Sequence, residues 1–533
     1  AATQLHARIA GAARRLLGVE AVLALPGYRR AGEAEGRPLP EWRVAWDDDP
    51  DQARRDARWA AETPRRYLAS LVAVGTVDQA MLAALQTKWA HFRAAALSRS
   101  LLVVDEVHAS DAYMTPIIRD LLRRHAGLGG HALLMSATLG SAARRQWLTR
   151  GLPPAPQAAM ATPYPALSWA EGGAERVEAL DHDGRAKIVA MAAVPIMADA
   201  AAVARLALTH ARAGARTLVI RNTVALAVET VRAIEAIDPD APLMRVKGVA
   251  APHHSRFAAE DRKALDAAVE AALGKGSDAA CIVVGTQTVE QSLDIDADVL
   301  LTDLCPVDVL LQRIGRLHRH QRLDRPASCA APACAVLTPE RLAPGLGLER
   351  MGLGPFRDGG GVYENLTMLE ATRRLIAAAP AWTIPADNRR LVEAATHPDL
   401  LDALAEELGP EWEEARNGVA GRDGARRGSG SRVLVKRDAP FDDPDMVFAE
   451  EERILTRLDE DRAMVTLPEG TVGPFGAPVV SLSLSARLLR GLEDWAALET
   501  PVVTPGEGGF TLGLGAVTLR YTRFGMERDE QMD

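Results

Sequence analysis

The sequence predicts an α/β protein with two tandem parallel-sheet domains, followed by an α+β accessory domain. Three observations predict it. Two blocks alternate short apolar strands with Ala-rich amphipathic helices, the pattern of parallel sheets whose crossovers are helical. The T-P-Y-P run at Thr162–Pro165 breaks regular structure between the blocks. Beyond about Gly345 the alternation stops, and V-V-S-L-S-L and F-T-L-G-L runs near the end read as β.

In the first block Val72–Val74, Leu101–Val104 and Ala132–Met135 read as strands, with Leu101–Val104 a buried one. A helix from about Thr115 to His125 lies between the last two, its apolar residues at helical spacing. The second block has strands at Thr217–Ile220, Cys281–Val284 and Val299–Leu301. A helical segment then runs to about Arg416, and Asn417–Arg432, rich in Gly, Arg and Ser, reads as a flexible linker. The expected divisions are therefore 1–165, 166–345, a helical connector 346–416, the linker 417–432 and the accessory domain 433–533. No repeat of fixed period is visible.

At 533 residues the chain is long enough for three or four domains. An apolar share of 48% lets each bury a core. The best candidate for a membrane span, Met191–Leu208, is interrupted by Pro195, Asp199 and Arg205. No charged-then-apolar signal peptide opens the sequence, and its first residue, Ala1, suggests that the true N-terminus lies elsewhere. Of the four cysteines, Cys329 and Cys334 form a C-x4-C pair with no second pair, which reads as isolated reduced thiols of a cytoplasmic protein rather than a zinc site. A net charge of −9 argues against a generally basic DNA-coating protein but not against a nucleic-acid motor, whose basic residues need line only one channel. Lys occurs only six times, so Arg supplies almost all of the positive charge.

The strongest chemical signal is L-L-V-V-D-E-V-H, Leu101 to His108. Its two acids emerge at the C-terminal end of a strand, where α/β sheets place their ligands. That is the arrangement of a Walker B element, with Asp105 holding Mg²⁺ and Glu106 polarising an attacking water; two solvated carboxylates at a strand end are the plain alternative. Ser136-Ala137-Thr138 follows the next strand directly, where its hydroxyls can bridge the acids to the nucleic-acid side or simply cap the following helix. Gln312–His320, Q-R-I-G-R-L-H-R-H, puts Arg316 and Arg319 about one helical turn apart. A planar guanidinium suits developing phosphate charge, and a solvated basic helix face is the alternative.

D-E-V-H, S-A-T, Thr286–Asp294 and Gln312–Arg319 stand in the order and spacing of motifs II, III, V and VI of superfamily-two helicases, so the chain resembles a DExH-box helicase with tandem RecA-like domains. Within that superfamily it is similar to the CRISPR-associated helicase-nuclease of type I systems. The resemblance rests on V-G-T-V-D-Q at Val74–Gln79, R-N-T-V at Arg221–Val224, H-S-R-F at His254–Phe257, E-Q-S-L-D-I-D at Glu290–Asp296 and the segment Trp382–Glu393. It covers the whole chain, strongly over 70–320 and loosely after 430.

The resemblance implies an ATP- and Mg²⁺-dependent translocase on single-stranded DNA, recruited by an RNA-guided surveillance complex. Asp105 and Glu106 would serve Mg²⁺ and water, Arg316 and Arg319 would be arginine fingers, and Gln312 would help order the site. His108, Ser136 and Thr138 would couple nucleotide to nucleic acid, and Asp294 would contact the ribose. Thr76, Asn222, Arg256 and Thr286 would lie along the strand path, making the phosphate contacts that suit a motor indifferent to sequence. Phe257 could add stacking or be buried.

Two departures accompany these matches. No G-x-x-x-x-G-K-[ST] occurs, and Gly274-Lys275-Gly276-Ser277 lacks both the earlier Gly and a Ser or Thr directly after Lys. Residues 1–17 look like the helix that follows motif Ia, so the resemblance implies a start some fifty residues past the P-loop. The family's His-Asp nuclease domain is not recognisable either, since His182-Asp183 is a lone dipeptide. A different superfamily-two RNA or DNA helicase and a non-catalytic scaffold are the rival readings.

Overall fold

The computed structural model describes residues 2–39, 44–47, 55–98, 100–149, 151–171, 173–181, 186–290, 293–322, 324–355, 361–440, 442–443, 448, 462–492 and 501–528. His182 and Asp183 lie outside them. The chain forms two compact units, one of Ala1–Ala137 with Ala420–Glu460 and one of Thr138–Val419 with Asp461–Asp533.

In the first unit a five-stranded sheet runs in the order Val44–Trp46, Ala34–Pro38, Arg30–Ala31, Ala21–Ala24, Val72–Gly75. Only its last pair is parallel, with Val22 opposite Ala73. Ala21–Ala24 is buried along its whole length, as an apolar run covered by helices should be, and Ala2–Leu17 and Arg55–Ala61 pack on it.

The strand carrying the two acids, Leu101–Val104, pairs in parallel with His131–Leu134. The expectation that it is buried needs correction: Val104 is, but Leu101 is 64% and Val103 47% exposed. Among the described residues this is a two-stranded ladder, and alternate side chains of a strand leave on opposite faces. The helix Met114–Gly127 buries Ile117, Ile118 and Leu121.

A second correction concerns Asn417–Arg432, which belongs to a continuous helix, Pro410–Arg432. Its start is well specified. Pro410 takes a first-turn position where no N–H is needed, and Glu411 and Glu413 complement the positive end of the helix. The glycines that suggested flexibility cost about 1 kcal/mol each relative to Ala, but at Gly430 one is required: a Cβ there would sit 2.2 Å from the Tyr113 carbonyl oxygen.

The second unit holds a six-stranded sheet in the order Cys281–Gly285, Arg216–Ile220, Val299–Asp303, Ala333–Leu337, Lys187–Val194, Ala381–Ile384. All neighbours are parallel except the last pair. The three predicted strands lie side by side at one end of it. The interrupted apolar stretch from Met191 becomes a strand end and a helix, with Asp199 capping Ala200–Arg212 through the Ala202 N–H at 2.8 Å. Among the described residues no helix is long and apolar enough to cross a membrane. All four cysteines are buried, and burial pushes the Cys281 and Cys305 thiols up to about 12.

The C-terminal residues form a hairpin, Arg462–Thr466 with Ser481–Ser485, and a four-stranded meander from Val502 to Arg528. Both belong to the second unit. Phe257 packs on Phe475 and Tyr521 at ring separations of 5.9 and 6.2 Å, and Tyr521 on Phe510 at 5.0 Å.

Candidate functional site

In the first unit Asp105 and Glu106 are exposed just past the strand Leu101–Val104. The Glu106 N–H donates to Asp105 Oδ1 at 3.0 Å. Glu106 itself adopts a left-handed backbone, φ 53°, which costs a non-glycine residue free energy and is typical of residues held for function. His108 Nδ1 lies 2.8 Å from Ser136 Oγ and 3.4 Å from Glu106 Oε2, and the Val107 N–H donates to the Met135 carbonyl at 3.0 Å. The two strand ends are thus tied together by side chain and backbone alike. The capping alternative for S-A-T is removed, because the helix Ser141–Leu148 takes Gly140 as its N-cap. Thr138 is buried, and Thr76 is exposed at the N-terminus of Val77–Met81.

In the second unit the stretches Thr286–Asp294 and Gln312–Arg319 are interlocked. Arg316 donates to the Glu290 carbonyl from Nε and Nη2, at 3.0 and 2.5 Å, and to the Leu293 carbonyl from Nη1 at 3.0 Å. Arg319, 42% exposed, pairs with Asp294 at 2.9 Å, and His320 Nε2 lies 3.0 Å from the same carboxylate oxygen. Gln312 Nε2 reaches the Asp308 carbonyl at 3.3 Å. Beneath them the Arg319 N–H donates to Asp296 Oδ1 at 2.8 Å, and Lys187 Nζ binds the Ile314 and Leu317 carbonyls at 2.8 and 2.5 Å. Burial, helped by the charges of Arg319 and Arg325, pushes Lys187 down to about 8 against the opposing pull of Asp296.

Three expectations change. Asn222 does not face a strand: it is 1% exposed, its N–H donates to Asp303 Oδ2 at 2.8 Å and its amide Nδ2 to the Leu304 carbonyl at 2.9 Å. It braces a network centred on the fully buried Arg313, which sequence reasoning passed over. Arg313 donates to Glu290 Oε1 (2.7 Å), Thr302 Oγ1 (2.6 Å), the Asp303 carbonyl (3.0 Å), Asn222 Oδ1 (3.3 Å) and the Tyr363 hydroxyl (2.9 Å). Its signal was present: Arg313 lies between Leu310 and Leu317, on the apolar side of its helix. Thr286 is 3% exposed, with its N–H bonded to the His253 carbonyl at 3.0 Å, so the half-buried Gln287 and Thr288 form the surface there.

H-S-R-F reads differently as well. Phe257 is core, and the Met526 N–H donates to the Arg256 carbonyl at 2.9 Å, so the motif is where the C-terminal meander docks. Burial, and then the charge of Arg487, pull the Arg256 guanidinium below its ordinary value, with Glu527 opposing.

The family model for the CRISPR-associated nuclease/helicase Cas3, C-terminal, matches residues 213–322, the span holding the second-unit motifs. The chain is 32% identical to the CRISPR-associated endonuclease/helicase Cas3 of Escherichia coli over 296 residues, and 30% identical to that of Thermus thermophilus over 466 residues. Among solved structures it superposes on T. fusca Cas3-ADP with a TM-score of 0.68 at 27% identity, over 90% of this chain. Together these matches support a CRISPR Cas3 helicase. Its parallel-sheet fold matches Cas3 structures with tandem RecA-like helicase domains. The matches span 53% of this chain and 32% of the E. coli protein, and 78% of this chain and 48% of the T. thermophilus one. The superposition covers 54% of T. fusca Cas3-ADP, so the chain spans about half the length of these relatives, or less.

Proposed function

We propose that this chain is the motor part of an ATP-dependent DNA helicase of CRISPR defence, which moves on single-stranded DNA so that a nuclease can degrade it. The observation that carries the reading is the His108–Ser136 hydrogen bond beside Glu106. It joins the hydrolytic acid to the next strand end, so a change at a nucleotide phosphate is transmitted across the sheet.

Asp105 offers an exposed carboxylate for Mg²⁺, which would supply charge neutralisation at the phosphates. Glu106 orients and deprotonates water at its carboxylate. Arg319 is suited to swing, because an exposed ion pair such as the one it makes with Asp294 is worth about 1 kcal/mol or less. Arg316 holds the Glu290–Leu293 carbonyls and must leave three hydrogen bonds to act as a finger. The nucleotide fits these residues only in part. Carboxylates and arginines are present, but no glycine-rich loop of backbone N–H groups exists in the sequence to cradle a triphosphate. The chain on its own is therefore catalytically silent, and two carboxylates without that cradle repel ATP.

The partner is a CRISPR RNA-guided surveillance complex, a reading supported by the likeness to Cas3. A fold match to a chain described as such a complex, pre-nicking, at 24% identity adds the fold alone. Two measurements test the proposal. Titration of residues 1–533 with ATP should show no saturation below the millimolar range, and micromolar binding would place a nucleotide site elsewhere. Anisotropy with labelled DNA and RNA oligomers should favour single-stranded DNA. A clear preference for RNA would make this a different superfamily-two enzyme.

A further inference from the structure

The boundary between the two compact units falls inside Ser136-Ala137-Thr138, after Ala137. On the near side Ser136 is bonded to His108. On the far side the residues that follow are held by one helix of the second unit, Asn388–Thr396, to which the helicase motifs assign no role.

The hold is specific. Gly140, the N-cap of Ser141–Leu148, has no side chain to offer the unpaired N–H groups at the start of that helix. Glu393 supplies the acceptor instead. The Ser141 N–H donates to its Oε1 and the Ser141 hydroxyl to its Oε2, each at 2.7 Å, and both residues are fully buried. One turn earlier Arg389 donates to the Leu139 carbonyl at 3.0 Å, and one turn later His397 Nε2 donates to the Pro154 carbonyl at 2.8 Å. Gly140 lies against the same stripe, since a Cβ there would sit 2.7 Å from Thr396 Oγ1. Arg389, Glu393 and His397 recur every four residues, so one helix face holds the chain both before and after Ser141–Leu148.

The other side of Asn388–Thr396 is core. Leu391 and Ala395 are fully buried, and the helix packs on Val307–Ile314, which carries Gln312 and leads into Arg316 and Arg319. Its start is tied to the six-stranded sheet, where Asp387 Oδ2 accepts from the Thr383 N–H of the edge strand Ala381–Ile384 at 2.7 Å. A single element therefore touches both the residues after S-A-T and the helix that presents the arginines. Close-packed interiors pass a displacement on rather than absorb it.

We propose that Asn388–Thr396 is the link that keeps S-A-T in step with the arginine helix, and that Glu393 and Ser141 are its positioning residues. The inference rests on the motor reading above. A carboxylate that only capped a helix would matter for local stability and nothing else, whereas a link carries a signal across both of its faces.

Two measurements test it. In residues 1–533, Glu393→Ala should speed amide hydrogen exchange about tenfold in Ser141–Leu148 and about threefold or more in Val307–Ile314, with Ala200–Arg212 unchanged. A change confined to Ser141–Leu148, or one equal in all three helices, overturns the link. In a polypeptide that joins residues 1–533 to a phosphate-binding loop, Glu393→Ala and Ser141→Ala should each lower DNA-stimulated ATP turnover about tenfold, while turnover without DNA and nucleotide-free DNA affinity stay within about twofold. The double variant should be no worse than Glu393→Ala, because the two residues act through one contact. Ser141→Ala, which removes a single oxygen, carries the test should Glu393→Ala disturb folding. Retained stimulation, or losses that add in the double variant, overturns the inference alone. Absence of DNA stimulation in the unaltered polypeptide overturns the motor reading and the inference with it.

Discussion

Replacing Tyr521 by Phe removes one oxygen from the seam between the H-S-R-F segment and the C-terminal meander. That oxygen donates to Asp261 Oδ2 at 2.7 Å and accepts from the Ala258 N–H at 2.9 Å. Tyr521, Ala258 and Asp261 are all buried, so neither partner can turn to water. A buried group left unsatisfied costs about 1–3 kcal/mol, and two such groups give about 2–4 kcal/mol at neutral pH once some relaxation is allowed. The loss should also depend on pH. Burial holds the Asp261 carboxyl above its usual range, and the Tyr521 hydrogen bond pulls it back down. Without the hydroxyl the folded-state value rises further. The penalty is then complete above that value and shrinks as pH falls through it, because a protonated carboxyl needs no such partner. Since the chain forms two compact units, a single global transition is a poor readout. Hydrogen exchange of the strands Gly509–Leu514 and Val517–Thr522 at pH 7.5 and 5 reads the local loss directly. A loss below about 0.5 kcal/mol at pH 7.5, less than a single net hydrogen bond usually contributes, would refute the reasoning, as would a larger loss at pH 5.

In a polypeptide that joins this chain to a phosphate-binding loop, Glu106→Gln should keep nucleotide binding and lower turnover by about two to four orders of magnitude; more than half the normal rate would remove Glu106 from the chemistry. Arg319→Ala and Arg316→Ala should each reduce DNA-stimulated ATPase about a thousandfold with nucleotide-free DNA affinity little changed, and the reverse pattern would make them strand-channel residues. Burial holds His6, His210, His254 and His318 below their ordinary value of 6.5, His254 furthest. The unfolded chain therefore takes up protons that the folded chain refuses. Stability should be complete above about pH 7 and fall towards pH 5, by about 1.4 kcal/mol per pH unit for each fully depressed histidine; a denaturation midpoint flat across that range would contradict this.

The sequence made the strands legible where apolar runs were both short and covered. Arg216–Ile220, Cys281–Gly285 and Val299–Asp303 are buried along their whole length and are legible as short apolar runs between helices. Lys187–Val194 was obscured because it alternates buried and exposed residues and runs on into a capped helix. The helix Pro410–Arg432 was hidden by composition. Gly and Ser normally signal a linker, and only a tertiary fact, the close approach of Gly430 to the Tyr113 backbone, explains a glycine there.

The site was legible to the extent that its chemistry sits in chain-local spacing. Asp105, Glu106 and His108 share one turn, and Ser136 could be placed beside them by order along the chain. What spacing could not show is which arginine of Gln312–His320 does what. Arg313, Arg316 and Arg319 recur every three residues, so a linear pattern treats them as equivalent. The fold separates them by depth. Arg313 is sealed in a network with Glu290 and Tyr363, Arg316 grips the carbonyls of Glu290 and Leu293, and Arg319 rests on an exposed carboxylate. Outward along that series the hydrogen bonds each must leave become fewer and wetter. On the proposed reading, a phosphate arriving at Arg319 would meet a cation that is cheap to recruit, while Glu290 is held by two that are not.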